Sequence, residues 1–158
     1  MRYIMGVCLM FLISGCASKL ADNASEKVLD YGMTHSKKVE IIHSKTSRTF
    51  VTITYLNPLN HPLVTQNHEQ FIVGTYRATG EESFVKTTLR AFEVNGKTEE
   101  VRVTPLEKDN PLLTLVSSSN AWTDYVLVEA PYTSTIKMEL SFETDHSKRV
   151  SVGFRKDY

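Results

Sequence analysis

The chain has 158 residues, 41% hydrophobic and 23% charged, and its 18 basic residues are matched by 18 acidic ones. That length and hydrophobic content suit one domain with its own core, and the neutral balance gives no sign of the basic patch that nucleic-acid binding needs. Two cysteines exclude a disulfide-stapled scaffold.

At the amino end, Arg2 precedes an apolar run over residues 4–13. The run is about half the roughly 20 residues that a membrane-spanning helix needs, and a charge followed by a short apolar stretch predicts a cleaved export signal. It closes on Ile13, Ser14, Gly15 and Cys16: an aliphatic residue, two small ones and a cysteine. This ending resembles the lipobox of bacterial lipoproteins. The resemblance implies removal of residues 1–15, a diacylglyceryl group on the Cys16 sulfur and acylation of the new amino terminus. Two or more acyl chains hold a protein on a bilayer, whereas one binds only reversibly. With Cys8 removed and Cys16 lipidated, the exported chain would have neither a disulfide nor a free thiol. Thiol catalysis and cysteine-ligated metals are then excluded. Ala17 and Ser18 stand where, in some lipoproteins, an aspartate retains the protein in the inner membrane. By resemblance to that rule, the anchor belongs in the outer membrane, with the domain facing the periplasm.

Residues 16–36 read as a lipidated tether, polar at first, with a short helix over 25–31. Ser25 supplies its N-cap, Glu26 an early acidic residue, and Val28 and Leu29 an apolar pair. From residue 37 to 158 the pattern is that of a β domain, because period-two alternation dominates and no window carries a 3.6-residue apolar stripe.

Strands are predicted over 39–44, 48–56 and 70–77. Asn95-Gly96 suits a type I′ turn, which predicts a hairpin with arms 87–94 and 97–104. Further strands are predicted at 112–116 and 125–130. Over 136–143, Ile136, Met138, Leu140 and Phe142 alternate with Lys137, Glu139, Ser141 and Glu143, so one face enters a core and the other meets water. A turn at Asp145, His146 and Ser147 leads to a closing strand at 150–154, with Val150, Val152 and Phe154 inward. The prolines at 58, 62, 105, 111 and 131 fall at predicted strand ends or in connections. Nine short strands parted by turn signals predict a single antiparallel β-sandwich, immunoglobulin-like or transthyretin-like in plan.

Chemical signals are sparse. The connection 57–69 brings His61, His68 and Glu69 into one loop as weak candidate metal ligands, but their spacing matches no compact zinc pattern. His35, His43 and His146 lie elsewhere. Residues 117–120 read as a polar loop, and no Gly-x-Ser-x-Gly elbow or phosphate-cradling glycine motif occurs. No catalytic residue is assigned and no cofactor is implied. Trp122, Tyr125 and Tyr132 are a candidate recognition surface for a peptide or glycan, although a lone tryptophan at a strand start is more commonly buried against the opposite sheet.

The sequence therefore points to a non-enzymatic envelope module that binds a protein partner or props up an assembly. The basic arm 148–156 is its candidate edge for strand addition, and the same basic residues equally suit a guard against such pairing. In size and plan it is similar to the secretion-apparatus lipoproteins with a transthyretin-like domain, sharing the anchor with them. The alternative is a ligand- or metal-binding protein or an enzyme working through the His61–Glu69 loop.

Overall fold

The computed structural model describes residues 34–79, 88–144 and 149–156. Among these, eight strands form two antiparallel sheets: β1 (Ser36–Ile42), β2 (Ser47–Tyr55), β3 (His68–Thr79), β4 (Arg90–Val94), β5 (Arg102–Leu106), β6 (Asp124–Pro131), β7 (Lys137–Glu143) and β8 (Arg149–Arg155). The larger sheet has the order β1-β2-β3-β6-β5 and the smaller β4-β7-β8. The chain is thus an all-β antiparallel sandwich, as its patterning predicts. The lipobox residues, Cys16, the predicted helix over 25–31 and the turn at 145–147 lie outside the described residues.

Between the sheets lies the main core. Val51, Ile53, Tyr55, Phe71 and Val73 from the larger sheet meet Met138, Leu140, Phe142, Val152 and Phe154 from the smaller. Tyr55 and Phe71 stack at 4.8 Å between centroids, and Phe154 tilts onto both at 5.9 and 5.8 Å. Each such ring contributes roughly 1.5–3 kcal/mol through burial alone.

A second core covers the outer face of the larger sheet. Leu56, Ile72, Leu106, Tyr125 and Leu127 pack there against Leu113, Leu115 and Val116 of the connection between β5 and β6. β3 is therefore buried on both faces, which explains its continuous Phe71, Ile72, Val73 run, while β7 and β8 alternate because their outer face is solvated. Gly74 makes room for this second core, since a Cβ there would sit 2.7 Å from the Tyr125 ring.

Three expectations are corrected. The stretch predicted as a strand at 112–116 is a 3-10 helix, Pro111–Leu115, started by Pro111 and by the Asn110 side chain, which accepts from the Leu112 N–H. The Asn95-Gly96 turn forms with both residues at positive φ, 52° and 73°, but its arms do not make a hairpin. After one bridge between Val94 and Lys97 the chain divides, β4 pairing with β7 and β5 with β6. Asn95 is drawn away by β7: its backbone N–H donates to the Glu139 carbonyl and its side-chain oxygen accepts from the Glu139 N–H, both at 2.8 Å. Finally, Pro105 lies inside β5, opposite Val126, where the strand's position at the sheet edge tolerates a missing N–H.

Candidate functional site

Glu69 shares its face of β3 with Phe71 and Val73, so its carboxylate enters the main core and is fully buried. The Tyr55 hydroxyl donates to one carboxylate oxygen at 2.6 Å and the Thr133 N–H to the other at 2.8 Å. The Lys156 ammonium, just after β8, donates to the same oxygen as Thr133 and to the Thr133 carbonyl, and lies 4.3 Å over the Tyr132 ring. This clasp joins the larger sheet, the segment after β6 and the end of the smaller sheet. Removing either charge would strand the other in a low-dielectric interior.

The two histidines of the loop do not join Glu69. His68 begins β3 on the opposite face and is exposed, since successive strand residues point to opposite sides. His61 accepts the Leu63 N–H on its Nδ1 at 3.2 Å, fixing a turn. The loop is folded by Asn57, whose side chain accepts from the Gln70 N–H at 2.7 Å and donates to the His68 carbonyl. Gln70 in turn accepts from the Thr65 N–H and donates to Glu129. Among the described residues, no three histidine, cysteine or acidic side chains gather in a way that could hold a metal ion.

The three aromatic residues are also dispersed. Tyr125 is 4% exposed and holds the 117–120 loop, its hydroxyl accepting from the Asn120 N–H and donating to the Ser118 carbonyl. Trp122, for which burial is the commoner outcome, is 79% exposed, because Asn120 turns the chain outward by accepting from the Trp122 N–H and the Thr123 hydroxyl. Tyr132 lies beyond the other end of β6, roughly 26 Å of extended strand away from Trp122.

The two lateral sides of the sandwich differ more usefully. On one side β4 and β5 are joined through the Asn95-Gly96 turn, and both edges are blunted: β5 by Pro105, and β4 by a register shift between Arg90 and Glu93 with Ala91 at positive φ. On the other side, β1 and β8 are regular seven-residue strands paired along their whole length on the inner side, and each is the last strand of its sheet among the described residues. A groove of about 950 Å³ opens beside them, lined by His35 just before β1, Lys37 of β1, Gly153 and Arg155 of β8 and Lys137 of β7, and it reaches as far as Asn95 of the crossover turn. Lys37 reaches over the Phe154 ring at 5.6 Å. Among the described residues the basic arm is thus an edge, and the other edge on this side, β1, was not singled out by the sequence. Consecutive lysines at 37 and 38 in a β pattern were the available signal for an edge strand.

No protein-family model matches the chain, and a search of the curated proteins gives no match.

Proposed function

We propose that this chain is a bacterial envelope lipoprotein, anchored through lipid on Cys16, whose β-sandwich binds a protein partner on its open side. Its anchoring rests on the resemblance of Ile13, Ser14, Gly15 and Cys16 to a lipobox, and its placement at the outer membrane on Ala17 and Ser18. The observation that carries the binding role is the contrast between the sides: two regular edges, β1 and β8, border one groove, while the other two edges are interrupted by a proline and a bulge. A binding surface built from strand edges needs no catalytic constellation. The His61–Glu69 loop favours the enzymatic or metal-binding alternative less, because both Glu69 oxygens are engaged within the core.

Mass spectrometry of the mature amino terminus tests the anchor. An acylated Cys16 is expected, and an unmodified terminus downstream of it would refute lipidation. The binding role is tested in cells by placing a photo-crosslinking residue at Lys37 on the open side and, separately, at Val103 on β5. A discrete adduct from Lys37 and none from Val103 is the expected result. Equal adducts, or none from either position, would count against the open side as a binding surface.

A further inference from the structure

β8 has a row of main-chain groups directed away from its sheet. The Lys156 N–H donates to the Ile136 carbonyl at 2.9 Å, and the facing of Met138 with Phe154 and Leu140 with Val152 continues that register. In an antiparallel ladder the bonded pairs alternate, so Phe154, Val152 and Val150 turn their N–H and C=O toward β7, while Ser151 and Gly153 direct theirs outward.

Gly153 is unexplained by the chain's own packing. Its φ is not positive, and a Cβ built on it would approach nothing nearer than the Met138 carbonyl at 3.9 Å. Glycine inside a strand costs roughly 0.5–1 kcal/mol against alanine, and here it leaves the solvent face of β8 bare beside Glu139, open to the side chains of a bound segment. Charge supplies the last element. Lys37, Lys137 and Arg155 line the groove against Glu139 as the one acidic residue among the described lining residues.

Resting on the reading of the open side as a protein-binding surface, we propose that β8 accepts an extended acidic segment of a partner as a fourth strand of the smaller sheet. Ser151 and Gly153 exchange main-chain hydrogen bonds with it. Main-chain pairing supplies affinity without sequence preference, and the cations around Gly153 select acidic side chains.

The test uses the full mature chain in detergent and a capped heptapeptide, Thr-Glu-Val-Glu-Val-Glu-Thr, beside its twin with lysine in place of glutamate. The acidic peptide should slow hydrogen exchange at the Ser151 and Gly153 amides by roughly tenfold or more, and the lysine twin should not. Ser151→Pro should weaken acidic-peptide binding by roughly tenfold while the chain stays folded, because it removes an N–H that faces the added strand and takes no part in the β7 ladder. Equal binding of the two peptides, or binding indifferent to Ser151→Pro, would overturn the proposal. So would strong protection of these two amides in the peptide-free protein, which would mean that a second copy or another part of the chain already occupies the edge. If Lys37 adducts persist unchanged in cells with Ser151→Pro, strand addition at β8 is wrong while partner binding on the open side stands.

Discussion

The two lateral sides of this sandwich are made of the same kind of strand and end differently. Where β4 and β5 lie, the chain crosses from one sheet to the other through Asn95-Gly96, and a proline and a bulge spoil both edges for pairing. Where β1 and β8 lie, the crossing from β6 to β7 meets this side, among the described residues, only at Lys156, just past β8, and both strands keep full registers. What holds the sheets together near this open side is the clasp of Glu69 and Lys156, a connection through side chains. One side is thus closed by backbone and the other by charge. A surface closed by charge can leave its edges available, and one closed by a crossover cannot.

That comparison can be broken most severely at the clasp. Lys156→Ala leaves the Glu69 carboxylate buried beside Tyr55 and Thr133, and should lower unfolding stability by about 3–5 kcal/mol in denaturant titration. A loss below about 1 kcal/mol would mean that the two sheets do not depend on the clasp. On the closed side, Gly96→Val places a β-branched residue at a φ of 73° in open surroundings, and the expected cost is about 1–2 kcal/mol. If it matched the clasp variant, the crossover would have to be the stronger fastening. Smallest is Arg48→Ala, which removes an exposed pair with Glu40 on the β1–β2 face. It should change stability by no more than about 1 kcal/mol, and a clearly larger loss would show that the β1 edge depends on surface charge.

Much of the sandwich was legible where one face of a strand meets water. β7 and β8 announce themselves by alternation, and their hairpin pairs along seven residues as predicted. Legibility fails where covering or distance intervenes. The Leu112, Leu113 and Leu115 run looks like a buried strand because both buried strands and buried single turns are apolar, yet Asn110-Pro111 before it carries the start signal of a helical turn. Asn95-Gly96 specifies its own dihedral angles but not the destinations of its arms, which are decided by β7, some 40 residues onward. Glu69 could have been flagged by parity, since a carboxylate in phase with Phe71 and Val73 must find a partner. That its partner is Lys156 could not have been read locally, nor could the meeting of β1 with β8.

The clasp also sets an order of events. Lys156 follows Glu69 by 87 residues, so as the chain emerges residue by residue, the carboxylate exists long before its cation. Until β8 has arrived, burying Glu69 against Phe71 would leave a charge without its counterpart, and the larger sheet has a reason not to close over its core early. Closure of the described sandwich is thus expected to wait for β8, which is itself one of the two open edges.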